Sequence, residues 1–342
     1  MSENINSWDF VRNLKFGWNL GNTLDAVSQS KPASPTEQET AWRNPVTTES
    51  MAKLLKDTGF GIIRVPVTWF AHVGESPDFS IEPAWMGRVN EVVDYGISNG
   101  LYVILNLHHE NWHFPSYANY SNAEMRLTKI WEQIAERFKD YDERLIFEAM
   151  NEPRMNKTEF EWTGGTPESR DVVNKLGSAF VAVIRNSGGN NPHRHLMLPT
   201  YAASVEEIAM KDLVLPDDKN IIVSVHAYTP YQFALSEESI TLWSADNPSD
   251  TKGIDDVLGR IDKYFLSKNI PVIIGEMGAR NKDNTESRAA WTKYYAQKAR
   301  NCGVPCIWWD NGLFEGNGEL FGLMDRINLV WQFPEIVESF LK

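Results

Sequence analysis

The sequence predicts a closed (β/α)8 barrel, an α/β TIM-barrel architecture, on three observations. Eight short apolar or alternating runs recur along 342 residues, at 16–22, 62–68, 102–108, 145–152, 194–200, 221–228, 271–278 and 306–312. Segments of helical period separate them, and such alternation makes a parallel sheet covered by helices. No glycine-rich strand-to-helix turn suited to a nucleotide follows any run, which disfavours an open doubly wound sheet. At this length the closed form is the barrel, and residues 1–342 read as a single domain without linker or internal repeat.

Each element follows from its pattern. Successive side chains of a strand point to opposite faces. The second strand therefore sets Ile63, Val65 and Val67 against Ile62, Arg64, Pro66 and Thr68. The third sets Val103, Leu105 and Leu107 against Tyr102, Ile104, Asn106 and His108. The fourth sets Leu145, Phe147 and Ala149 against Ile146, Glu148, Met150 and Glu152, and the sixth sets Val223, Val225 and Ala227 against Ser224, His226 and Tyr228. The purely apolar sets are expected to face the helices and the mixed sets the axis. The seventh strand, 271–278, ends by delivering Glu276. Between strands, four stripes mark helices. They are Trp85, Val89, Val92, Val93 and Gly96; Leu127, Ile130, Trp131, Ile134 and Phe138; Val172, Val173, Leu176, Phe180, Val183 and Ile184; and Ile254, Val257, Leu258, Ile261 and Phe265. Longer loops at 23–47, 109–121, 153–167 and 229–253 follow strands one, three, four and six, at the end where such barrels carry their chemistry.

Composition narrows the function. With 33 basic and 46 acidic residues scattered along the chain, the net charge of −13 is unlike a nucleic-acid-binding surface, which clusters positive charge. No apolar run approaches the roughly 20 residues that span a membrane. Met1 to Phe10 is polar and lacks the apolar stretch of a signal peptide. The two cysteines, Cys302 and Cys306, read as small buried hydrophobes. Thirteen tryptophans stand out, and flat indole faces suit the apolar faces of sugars.

Arg64, His108, His109, Asn151-Glu152-Pro153, His226-Ala227-Tyr228, Glu276 and Trp308-Trp309-Asp310-Asn311-Gly312 all fall at strand ends. Buried polar residues cost several kcal/mol unless paired, so this concentration at one end marks a site. A metal set drawn from His108, His109, Glu110 and His226 is conceivable, but no HExxH-type spacing supports it. In that order, and from Gly17-Trp18-Asn19-Leu20-Gly21-Asn22 to Phe321-Gly322-Leu323, the motifs resemble glycoside hydrolase family 5, the cellulase family of the clan A barrels. The Leu-His-His-Glu and His-Ala-Tyr-Thr-Pro-Tyr segments are most similar to its endo-β-1,4-glucanase and xyloglucanase group.

The resemblance implies a retaining endo-β-1,4-glucanase with two catalytic glutamates, Glu152 as acid/base and Glu276 as nucleophile. Arg64 would hold Glu276 ionised, Tyr228 would donate to it, His226 would set the protonation of Glu152, and Asn151 would bind the sugar 2-OH. Asn22, Asp25, His108 and His109 would bind other hydroxyls. Trp309 would stack under the sugar, although parity alone leaves Trp308 or Trp309 open, one of them packing in the core. Among loop tryptophans, Trp42, Trp69, Trp112, Trp162 and Trp243 are each a platform or an anchor. Glu148 reads as a structural partner for a barrel cation. The implied partner is a β-glucan polysaccharide bound by a secreted monomer, with no cofactor, no metal, no nucleic acid and no membrane. A β-mannanase or other β-1,4-glycanase, a non-catalytic glucan-binding barrel and a phosphometabolite enzyme are the alternatives. The last is poorly served by Asp310-Asn311-Gly312-Leu313-Phe314-Glu315 after the eighth strand.

Overall fold

In the computed structural model, residues 5–28, 32, 34–237 and 240–342 are described. Parts of the expected loops 23–47 and 229–253, and the start of the Met1 to Phe10 stretch, lie outside them. Eight parallel strands close in sequence order: β1 (Gly17–Leu20), β2 (Ile62–Val65), β3 (Tyr102–Asn106), β4 (Leu145–Glu148), β5 (Leu196–Pro199), β6 (Ile221–His226), β7 (Val272–Met277) and β8 (Cys306–Asp310). β8 returns to β1 with Trp18 opposite Trp308, which completes the barrel. Each strand lies inside the run expected for it and is shorter, because the ends of those runs peel away as loops carrying polar residues.

The helices are α1 (Ser7–Arg12), α2 (Pro35–Glu39), α3 (Glu49–Thr58), α4 (Pro83–Ser98), α5 (Tyr117–Arg137), α6 (Pro167–Arg185), α7 (Glu207–Lys211), α8 (Tyr231–Ala234), α9 (Pro248–Tyr264), α10 (Thr285–Cys302) and α11 (Pro334–Leu341). The four apolar stripes fall on α4, α5, α6 and α9, with Phe138 and Phe265 as the capping residues just beyond α5 and α9. α6 starts with a reciprocal capping box between Thr166 and Ser169, which satisfies two otherwise orphaned N–H groups. Among the described residues no helix is long and apolar enough to cross a membrane.

The two faces of the strands separate as expected. Ile63, Val65, Val67, Val103, Leu105, Leu107, Leu145, Phe147, Ala149, Val223, Val225 and Ala227 share one apolar cluster with the helix stripes. Ile62, Ile104, Ile146, Met197, Ile222, Ile273 and Ile307 form a second cluster along the axis, closed at the N-terminal end by Phe10 and Val11 of α1. Met150 is an exception to the alternation: it packs with the helices rather than the axis. The ladder has already ended at Glu148, and Ala149 and Met150 both turn outward. Cys302 and Cys306 are free thiols, Cys306 buried.

Candidate active site

Above the axial isoleucines, the mixed faces build a polar layer centred on Arg64. Its guanidinium is fully buried and every nitrogen is used. Nε donates to Glu148 Oε2 at 2.7 Å. Nη1 donates to Asn19 Oδ1 and to Glu276 Oε1, both at 2.9 Å. Nη2 donates to Asn151 Oδ1 at 2.7 Å. This planar fork does what a lysine could not, holding three strand ends in one geometry. Glu148 is the structural partner foreseen, its second oxygen accepting from Ser224 Oγ at 2.6 Å. Because Asn151 Oδ1 is taken by Arg64, its amide N–H groups are the ones left for a ligand.

Glu152 and Glu276 come together over this layer. Carboxylate oxygens of both, and a ring nitrogen of His226, lie within 4.8 Å of one another. His226 Nδ1 is 2.7 Å from Glu152 Oε1 and 3.5 Å from Glu276 Oε2. Tyr228 Oη donates to Glu276 Oε2 at 2.8 Å. Glu276 reaches the axis through a bulge. Pairing of β6 with β7 slips between Val225 and His226, so that His226 stands opposite Glu276. Such an irregularity re-aims a side chain at a barrel rim.

The electrostatics bind these groups into one titrating unit. Burial acts to raise Glu152, but the His226 hydrogen bond and charge, with Arg154, outweigh it and hold Glu152 below the usual carboxylate range. Burial acts to lower His226, and the charge of Glu276 and hydrogen bond to Glu152 overcome it, so His226 stands above its ordinary value. Glu276 is raised, burial winning over the charges of His226 and Arg64 and the bond from Tyr228. Arg64 therefore pulls Glu276 toward ionisation, as expected, without cancelling the desolvation.

The sugar-binding candidates divide. Trp309 borders the cleft, its ring parallel to His108 at 2° and 5.7 Å. Trp308 is fully buried in the helix-facing core, its Nε1 donating to Phe321 O, so Trp309 alone of the pair fronts the site. His108 Nδ1 lies 3.2 Å from Asn106 Nδ2, which donates also to Glu148 Oε2. Burial holds His108 well below its ordinary pKa, so the neutral ring accepts at Nδ1 and presents Nε2–H. His109 is also lowered by burial, to about 4, and lies against His108 and Trp42. Asn22 is half-buried with φ of 56°. Asp25, expected at the sugar, is instead fully buried: its oxygens accept the backbone N–H of Asn22 and Thr23 at 3.0 and 2.7 Å, shaping the loop after β1. Burial raises it to about 7.

Among loop tryptophans, Trp69 and Trp243 are buried anchors, Trp112 is tied to Glu110, and Trp162 is 57% exposed. Possible metal-binding donor clusters among the described residues are Asp25–His108–His109 and Glu152–His226–Glu276. Glu110 and His226 therefore do not join the histidine pair. Asn19, Asn106, Ser224 and Arg154 join the site beyond the residues that the sequence singles out. Asn106 and Ser224 already carried axis-facing parity, the signal by which they could have been found.

Comparison with known proteins decides the family. Residues 26–315 match cellulase (glycosyl hydrolase family 5). The chain belongs to glycosyl hydrolase family 5. This family 5 chain is 49% identical over 98% of its length to endoglucanase A of Clostridium longisporum, and it spans 65% of that relative's length. It superposes with a TM-score of 0.97 on a GH5-4 broad specificity endoglucanase from Ruminococcus champanellensis with bound cellotriose, at 44% identity and 99% coverage of both chains. A GH5 xyloglucan-specific endo-beta-1,4-glucanase from a metagenomic library, in complex with cellotriose, gives 0.93 at 41% identity and 98% coverage of both.

Proposed function

We propose that the chain is a retaining endo-β-1,4-glucanase acting on soluble β-glucans, xyloglucan and mixed-linkage glucan among them. One observation carries this: Glu152 and Glu276 present carboxylate oxygens within 4.8 Å. Retaining glycosidases hold their carboxyl groups at about 5–5.5 Å, whereas inverting ones need roughly 6.5–9.5 Å to admit water. Glu276 attacks the anomeric carbon as the glycosidic bond breaks, and Glu152 gives its proton to the departing oxygen. The ester formed on Glu276 is then hydrolysed by water that Glu152 deprotonates. The proton held between Glu152 Oε1 and His226 Nδ1 over 2.7 Å is the one delivered. Esterification neutralises Glu276, which lowers the pKa of Glu152 and suits its change from acid to base. Asn151 offers its amide N–H groups to the 2-OH, a contact that strengthens at the oxocarbenium-like transition state. Secretion is the compartment we assign, since polymeric substrate lies outside cells.

The test is product stereochemistry. Proton NMR of cello-oligosaccharide hydrolysis is expected to show the β-anomer first, and Glu276→Ala to abolish release of reducing ends from carboxymethylcellulose. Initial α-anomer, or full activity in the variant, would overturn the assignment. Relative rates on xyloglucan, mixed-linkage glucan and glucomannan rank the substrates and test the mannanase alternative.

A further inference from the structure

We propose that Trp162, Arg154 and Glu161 form a leaving-group-side subsite, in which Trp162 stacks a sugar of the departing chain and Arg154 positions the Glu152 carboxyl. It rests on the glucanase reading above and extends it to residues that reading leaves without a role. Arg154 Nη1 donates to Glu152 Oε2 at 3.2 Å and to the Glu152 carbonyl at 3.1 Å. Its Nε donates to Glu161 Oε1 at 3.0 Å. The guanidinium lies 4.4 Å from the centroid of Trp162, covering one indole face. The exposure that remains to this indole, 57%, is unusual for so large an apolar group.

The loop is built to hold that face still. Tyr201 Oη accepts from Met155 N and donates to Phe160 O. Arg170 Nη1 donates to the carbonyls of Gly164 and Gly165. Clamped at both ends, Trp162 is a rigid surface one guanidinium away from the carboxyl that serves the departing oxygen. Trp309 is held instead against His108, at the end of β8.

Arg154 also sets charge. Glu152 is faced by His226 from β6, Tyr228 from just beyond β6, Glu276 from β7, His109 from beyond β3, and Arg154 and Glu161 from its own loop. Of these, Arg154 is the cation that bonds Glu152 without bonding Glu276, so its removal raises the pKa of Glu152.

The experiment compares cellohexaose, which fills both sides of the cleft, with β-cellobiosyl fluoride, whose departing fluoride carries no sugar. For Trp162→Ala, the ratio of KM for cellohexaose to KM for the fluoride is expected to rise roughly 3- to 10-fold, the range for an aromatic stacking contact. For Arg154→Gln, the alkaline limb of kcat/KM on cellohexaose is expected to move to higher pH, with Arg154→Lys restoring it. An unchanged KM ratio overturns the platform, and an unmoved limb overturns the positioning role. Failure of the parent enzyme to turn over either substrate removes the glucanase reading, and this one with it.

Discussion

At the residue scale, the site is governed by one buried cation. Arg64 neutralises Glu148 and Glu276 and fixes two asparagines. Replacing it with Met leaves two carboxylates buried beside apolar strand ends, a change that costs about 3–5 kcal/mol when a partner is removed from a buried pair. Urea titration of Arg64→Met is expected to show that loss. Arg64→Lys keeps the charge but not the fork. Glu276 then shifts, and kcat is expected to fall on the order of 10²-fold, as for small misplacements of reacting groups. The pH dependence follows from the same cluster. In the proposed mechanism Glu276 must be ionised to attack, and its pKa is raised, so activity is expected to fall as pH drops through that value. In the same mechanism the Glu152–His226 pair must keep its proton, and His226 is raised, so activity is expected to fall again as pH climbs through the pair's titration. Kinetics of kcat/KM against pH should give a bell, whose limbs belong to the group of three rather than to single residues.

At the element scale, strand parity makes most of the site legible in the sequence. Arg64, His108, His226 and Tyr228 sit on the side that alternation assigns. Glu152 does too, though Met150, two residues earlier, breaks the pattern on which that placement relied. Glu276 was found by its position at a strand end, while the bulge that turns it inward left no mark in the sequence, since a one-residue slip changes no residue type. Trp308 and Trp309 could not be separated from local pattern, because either phase of β8 buries an indole. The close contact of β1 with β8 separates them. A Cβ on Gly21 would lie 2.8 Å from Asp310 O and 2.9 Å from the Trp309 ring. Gly21 is thus the space into which Trp309 fits. Gly21→Ala is expected to push that ring out of parallel with His108, raise KM for cello-oligosaccharides, and lower stability by about 1–3 kcal/mol, the usual cost of overpacking. Steady-state kinetics and a denaturation midpoint on one preparation would read both effects.

At the scale of the whole molecule, the two ends of the barrel do different work, and their responses to pH should separate. The cleft lies beyond the C-terminal ends of the strands. The opposite end is stoppered by α1, where Phe10 stacks on His195 at 3.7 Å and meets Tyr102 edge-on at 5.3 Å. Ser7 Oγ lies 2.7 Å from His195 Nδ1, so the ring is held neutral between a hydroxyl and an aromatic face. Burial lowers His195 to about 4, with the charges of Arg185 and Arg194 adding and that of Asp218 opposing. In the unfolded chain the same histidine titrates near its ordinary value of about 6.5. As pH falls from about 6.5 toward 4 the unfolded chain takes up a proton that the folded one refuses, so this residue's contribution is full above 6.5 and is lost on acidification. A difference of this size corresponds to about 3 kcal/mol across the window. His195→Asn removes the titrating group and keeps a polar side chain beside Ser7. Urea unfolding at pH 7 and pH 4 is expected to show the variant losing about 3 kcal/mol less than the parent between the two. Its kcat/KM bell should stay superimposable on the parent's, because none of the three groups that make the bell touches the stopper. Equal acid losses in the two proteins would mean that His195 is protonated in the folded state and that the stopper bears a charge.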